Sequence, residues 1–204
     1  MAAEPRKHGT RDRRAEILGA ALACFTTRGI DATTIADIRE RAGATTGSIY
    51  HFFAGKDALV GALYVEVLRS YQVSLVERLA RARSGRSAVR GIVEHYLDWV
   101  GQHPDAARFL FEARRWPAVA AVEPDIRADN RDLFRGLRVH LERVGVAAAR
   151  ALPPDLLVAI VIGPAMTYAR EHLSGHAGTE LRRARRILAD AAWVALQRHA
   201  EESS

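Results

Sequence analysis

Apolar positions recur at intervals of three and four along most of this chain, and no stretch alternates apolar and polar residues as a half-buried strand would. Residues 14–28 place Ile17, Leu18, Ala21, Leu22 and Phe25 on one helical stripe that stops at Gly29. A helix opened by Lys56 and Asp57 runs to about Ala82 and breaks at Ser84 and Gly85. Val89, Ile92, Val93, Tyr96, Leu97 and Val100 mark the next helix, ended by His103 and Pro104. A short helix with Phe109 and Leu110 stops near Trp116 and Pro117, and Ile126, Leu133, Phe134, Leu137, Leu141 and Val144 mark a longer one between Pro124 and Gly145. Two further helices are predicted at 154–173, kinked by Gly163 and Pro164, and at about 180–199. The pattern predicts an all-α protein.

The segment 33–59, TTIADIRERAGATTGSIYHFFAGKDAL, departs from these long stripes in an informative way. Thr34 stands at an N-cap position with Asp37 three residues on, a capping-box-like pair, and Ile35 and Ile38 supply the apolar side of a short helix. Gly43 suits the left-handed conformation that closes it, and Thr45 offers an oxygen to cap a second helix from Thr46 to Phe53. That second helix buries Ile49, Phe52 and Phe53 while presenting small or hydrogen-bonding residues at its start: Thr46, Gly47, Ser48, Tyr50 and His51. Two short helices joined by a glycine turn, the second with a small polar N-terminal face, form the layout of a helix-turn-helix element that reads base edges in a major groove.

On Ile17, Ala21, Phe25, Gly29, Thr33, Thr34, Ile38, Ala42, Gly43, Gly47, Ile49, Tyr50, Phe53, Lys56 and Leu59, the chain resembles the TetR family of bacterial transcription regulators. The likeness covers about the first sixty residues strongly and the rest in outline. It implies an N-terminal three-helix DNA-binding domain at 15–60 and a larger helical effector-binding and dimerisation domain at 61–204. It places Thr45, Thr46, Gly47, Ser48, Tyr50 and His51 on the DNA-reading helix, Thr33 and Thr34 at a phosphate-contacting turn, and Lys56 on a phosphate. Arg39 departs from the pattern, because a small alanine is usual there; either the two helices pack slightly apart or the arginine stem snorkels outward.

The formal charge of +6 suits a polyanionic partner, but 28 of the 30 basic residues are arginine, so no single arginine stands out as chosen for recognition. Lys56 does stand out, being one of two lysines with Lys7. Residues 1–14 carry a net charge of +3 and no apolar stripe, which predicts a disordered basic arm. No apolar segment follows these early charges as in a signal peptide. The longest uncharged run, 156–169, is too short to span a bilayer as a helix, so a soluble cytoplasmic protein is expected. The single cysteine, Cys24, excludes an intrachain disulfide and a multi-cysteine zinc site and reads as a small core residue.

The last two helices carry more apolar surface than one subunit can use. Leu156, Leu157, Ile160, Val161, Met166 and Tyr168 lie on the first, and Leu181, Ala184, Ile187, Leu188, Ala191, Ala192, Ala195 and Leu196 on the second. Self-association follows, and the resemblance implies a homodimer formed as a four-helix bundle by this pair. It also implies an effector pocket in the helical cluster between reader and dimer helices, for which Tyr96, Phe109, Trp116, His140 and Tyr168 are the candidate contacts. An enzyme reading rests on Glu171, His172 and His176, two histidines at helical spacing, but a break at Ser174 and Gly175 and the lack of a third ligand argue against it. No nucleophile elbow, phosphate loop or dinucleotide fingerprint is present, so neither cofactor nor metal is expected. An architectural DNA-binding protein without an effector fits residues 1–60 equally well, though not the large C-terminal part.

Overall fold

A computed structural model describes residues 6–202, with side chains placed for 11–198. Eleven helices follow one another: α1 (Arg6–Arg28), α2 (Ile35–Arg41), α3 (Thr46–Phe52), α4 (Lys56–Leu79), α5 (Gly85–Gln102), α6 (Pro104–Ala113), α7 (Pro117–Ala121), α8 (Glu123–Arg143), α9 (Ala148–Ala151), α10 (Pro154–Leu173) and α11 (Leu181–Glu202). Among the described residues there is no strand, and the all-α class is as the apolar spacing predicts.

The first helix starts earlier than its apolar stripe. Residues 6–14, expected to belong to a disordered arm, are helical, and Arg13 and Arg14 are held by partners described below. The first five residues of that expected arm lie outside the described residues. Elsewhere the boundaries follow local chemistry. Ser84 caps α5 through a reciprocal pair with Ser87, which starts the helix at Gly85, four residues before its first large apolar position. Gly29, Gly43, Gly145 and Gly175 all have positive φ and stand after α1, α2, α8 and α10, where a left-handed residue closes a helix. The short α9 carries too few apolar residues to show a period and was not expected. Helix α10 runs on through Pro164.

The chain forms two compact units. One holds everything up to Leu68 together with Asp105–Pro124; the other holds Arg69–Pro104 and Asp125 onwards. The division falls after Leu68, inside α4, and α6 and α7 belong with the first unit although they follow α5.

In the first unit the core is Ile17, Leu18, Ala21, Phe25, Ile38, Ile49, Phe53, Leu59, Val60 and Leu63, all buried. Phe109 of α6 is fully buried and stacks on Phe25 at 5.8 Å between ring centroids. α7 approaches α4 closely, since a Cβ on Gly61 would lie 3.1 Å from the Ala118 carbonyl. A groove of about 400 Å³ beside α1 and α4 is lined by Leu18, Leu22 and Leu63, with Arg11, Arg14 and Glu66 at its polar side.

In the second unit α5 is the central helix, with Ala88, Val89, Val93, Leu97 and Val100 fully buried. α11 packs along it, and Arg185 binds both oxygens of Asp98 at 2.8 and 2.6 Å while Arg90 pairs with Asp190. α10 buries Leu157, Val161, Ala165 and Ala169, a spacing of four that keeps one stripe inward. By length and composition α4 is also apolar enough to cross a membrane, although Glu66 and Arg69 interrupt its uncharged runs; its Leu59, Val60, Leu63, Leu75 and Leu79 are buried in the protein.

Candidate nucleic-acid interface

The helix-turn-helix is built from local signals. Thr34 has extended backbone geometry, its hydroxyl oxygen accepts from the Asp37 backbone N–H at 3.2 Å, and the Asp37 carboxylate accepts from the Thr34 backbone N–H at 2.8 Å. The Thr34 hydroxyl first, its backbone N–H next and the Arg28 guanidinium after them hold the Asp37 carboxyl below its usual range. Gly43 turns the chain with φ +54°, and Thr45 caps α3 by accepting from the Ser48 N–H at 3.1 Å. Of α3 only Ile49 is fully buried. Thr46, Gly47, Tyr50 and His51 face solvent, Tyr50 being 53 % exposed, and Ser48 is half-buried. The helix therefore presents one open face of small and polar residues at its N-terminal end.

The remaining candidates divide. Thr34 and Thr45 are exposed, with their hydroxyls engaged as caps. Thr33 is 1 % exposed and donates its hydroxyl to the carbonyls of Gly29 at 2.8 Å and Cys24 at 3.2 Å, so its side chain braces the turn after α1 from inside. Lys56 is half-buried, and its ammonium donates to the carbonyls of Ile30 and Asp31, both at 3.0 Å. An ammonium has three N–H donors, so these two carbonyls leave a third. Arg39 is exposed, which resolves the departure at that position as an outward-pointing stem.

Three arginines matter here that their sequence context did not mark. Arg13 reaches from α1 to the carbonyls of Ala42 and Gly43, at 3.2 and 2.6 Å, satisfying acceptors that a helix end leaves open at the turn before α3. Arg28 pairs with Asp37 at 2.5 Å, and Arg14 pairs with Glu66 at 3.3 Å and lies 5.6 Å from the centre of the Phe53 ring. Arg13 and Arg14 act through partners distant in the chain, and Arg28 through one nine residues on. Cys24 is buried, and burial pushes its thiol up, as suits a core residue.

Comparison with known proteins agrees with this geometry. Residues 17–63 match the model of the bacterial regulatory proteins of the tetR family, a span that contains α2, α3 and the start of α4. Over this segment the chain is similar to regulators of the tetR family. A regulator named BetI from Burkholderia ambifaria is 36 % identical over 94 residues, 45 % of this chain and 48 % of that protein; the counterpart from Paraburkholderia xenovorans is 35 % identical over the same length. The match thus spans about half the length of these relatives. Solved structures extend the likeness of fold to nearly the whole chain. A TetR family regulator from Marinobacter aquaeolei superposes with a TM-score of 0.74 at 19 % identity, covering 91 % of this chain and 96 % of that one. The regulator FadR of Bacillus subtilis, solved with stearoyl-CoA, gives 0.69 at 14 %, covering 87 % and 96 %. The chain thus combines an N-terminal helix-turn-helix segment that matches the tetR family with the helical fold of these structures.

The five candidate effector contacts fall in both units. Phe109 and Trp116 belong to the first; Phe109 is covered by its stack on Phe25, and the Trp116 indole N–H donates to Asp57 at 3.2 Å. Tyr96, His140 and Tyr168 belong to the second. Tyr96 is buried in an edge-on contact with Tyr71, and burial pushes its phenol up. The Tyr168 hydroxyl donates to the Thr179 carbonyl at 2.6 Å. His140 Nδ1 lies 2.8 Å from the Arg143 guanidinium, which can only donate, so Nε2 carries the ring proton of the neutral histidine; that atom is buried with no protein partner. Glu171 and His176 approach to 3.9 Å and His172 stacks on Tyr168, while among the described residues no group of three His, Cys, Asp or Glu could hold a metal.

Proposed function

We propose that this protein is a ligand-responsive transcriptional regulator, a repressor that binds a palindromic operator as a homodimer and is released by a small, mainly apolar effector. The observation that carries the DNA-binding half is the open N-terminal face of α3, with Thr46, Gly47, Tyr50 and His51 exposed on a helix whose ends are capped and whose turn is clamped by Arg13. Thr45, Thr46, Gly47, Ser48, Tyr50 and His51 approach bases and nearby phosphates, Thr34 a phosphate at the α2 N-terminus, and Lys56 a phosphate through its remaining N–H.

Support for the homodimer comes from the two C-terminal helices. α10 leaves Leu156 and Met166 about half exposed, and α11 leaves Ile187 and Val194 so, with Ala191 and Ala195 beside them. On α11 Ile187, Ala191, Val194 and Ala195 form a stripe separate from the buried Ala189, Ala192 and Leu196, and the small alanines admit a close partner helix. Two such dimer-related α3 helices require an inverted repeat.

The effector is the less determined half. In the second unit Tyr96 lies against Tyr71 and Tyr168 against His172, and the His140 Nε2–H is buried without a protein partner, features that suit an apolar ligand held by few hydrogen bonds. The FadR structure of similar fold holds stearoyl-CoA, a ligand with a long apolar part. The protein acts in the cytoplasm, where its operator is, and catalyses no reaction. The test is selection of duplexes from a random-sequence pool by the purified protein. Enrichment of inverted repeats with half-site centres about one helical turn or a multiple apart supports the reading; a pool that stays random after repeated rounds rejects it.

A further inference from the structure

Lys56 is the lysine on which phosphate binding rests, yet two of its three donors are already directed at the carbonyls of Ile30 and Asp31. A lysine side chain is a flexible four-carbon stem, so the position of the remaining N–H depends on what else holds the ammonium. The other group beside it is Trp116, whose ring centre lies 5.9 Å from Nζ. This is cation–π distance, and the ring is itself fixed. Its indole N–H donates to Asp57 Oδ1 at 3.2 Å, in the first turn of the same helix as Lys56.

The backbone fixes it from the other side. Trp116 precedes Pro117 and is extended, as residues before proline are, with φ −73° and ψ 136°. Its backbone N–H donates to the Ala113 carbonyl at 2.8 Å, and α7 immediately after it lies against α4 at Gly61. The residue is thus tied to α4 by its side chain and by the helix that follows, within one compact unit. It lies 60 positions beyond Lys56 and outside the span 17–63 that matches the family model.

From this we infer that Trp116 is a positioning residue for DNA binding: anchored through Asp57, its ring holds the Lys56 ammonium against the loop after α1, so that one N–H stays directed outward for a phosphate. The inference rests on the DNA-binding reading of α3 and Lys56, and it gives the indole a task separate from effector contact. Without the ring, Lys56 keeps its charge but not its place.

The experiment is a double-mutant cycle on full-length protein, using a duplex that the wild type has selected from a random pool. Trp116→Ala should weaken binding about three- to tenfold, the range expected for losing a cation–π contact together with the geometry it enforces. In a Lys56→Gln background the same change should alter affinity less than about twofold, because its effect runs through the ammonium. Trp116→Phe, which keeps a ring face and loses the indole N–H, should fall between wild type and alanine, and it carries the cycle if the alanine variant melts below the assay temperature. Trp116 variants should also lower the dependence of log K on log salt towards that of Lys56→Gln. An equal loss of affinity in both backgrounds would mean a general packing defect and overturn the inference, as would unchanged affinity of the Trp116 variants. A wild-type protein that selects no duplex would instead overturn the DNA-binding reading.

Discussion

Replacing Gly47 with alanine should move stability and DNA affinity in opposite directions. Gly47 is the second residue of α3, exposed, and its φ is not in the left-handed region; a Cβ built on it meets no protein atom within 4 Å. Nothing in the protein therefore resists the methyl group. Glycine costs a helix roughly 0.5–1 kcal/mol relative to alanine. For a protein of this size that is a rise of about 1–4 °C in Tm. In the proposed docking the same methyl projects from the face turned to the groove, next to Thr46. If α3 docks with that face, the helix must back away or tilt, and a loss of at least about tenfold in affinity, or 1.4 kcal/mol, is expected. Thermal melting by circular dichroism and fluorescence anisotropy on a selected duplex read the two quantities separately. Higher stability with unchanged or tighter DNA binding would refute the docking of this face; lower stability would refute the open surroundings of Gly47.

Three other outcomes follow from the same structure. Lys56→Ala should weaken binding to all duplexes alike and reduce the salt slope by about one unit, measured by titration at several salt concentrations; an unchanged slope would remove Lys56 from the phosphates. Ala191→Glu, on the exposed stripe of α11, should give a monomer by sedimentation velocity and a sharp loss of affinity for a full inverted repeat, and a dimer that persists would place the interface elsewhere. Burial first, then a neighbouring guanidinium, pushes both His95 and His140 below the usual 6.5. The unfolded chain then binds more protons below that value, so the stability these neutral histidines contribute is complete above pH 6.5 and is lost as pH falls through their folded values. Tm should accordingly drop between pH 7.5 and 5.5, and His95→Gln, beside Ser74 at 2.9 Å, should lessen the drop; a Tm independent of pH would contradict this.

What the sequence disclosed and what it hid differ by range. The Thr34–Asp37 box, the turn at Gly43 and the cap at Thr45 are contacts across three or fewer residues, and such signals are written in residue order. The clamps on that motif are not. Arg13 meets Ala42 and Gly43 across about thirty residues, Lys56 meets Ile30 across 26, and Trp116 meets Asp57 across 59. No periodicity predicts such pairings. The arginine-rich composition also concealed the three structural arginines among many exposed ones. For the same reason Phe109 and Trp116 looked like part of one aromatic cluster with Tyr96, His140 and Tyr168, because helical spacing marks a residue as inward-facing without saying which core it enters. The α11 stripe shows the limit in another way: Ala191 and Ala195 were grouped with Ala192 and Leu196, yet the first two are exposed and the second two buried.

The central claim, that α3 reads bases through its N-terminal face, is tested most directly by comparing wild type and Thr46→Ala on a complete set of single-base variants of a selected duplex. If Thr46 faces base edges, the variant should lose discrimination of about 1–3 kcal/mol at one or two positions, repeated symmetrically in each half-site, and keep it elsewhere. A uniform weakening across all positions, or none at all, would contradict the account.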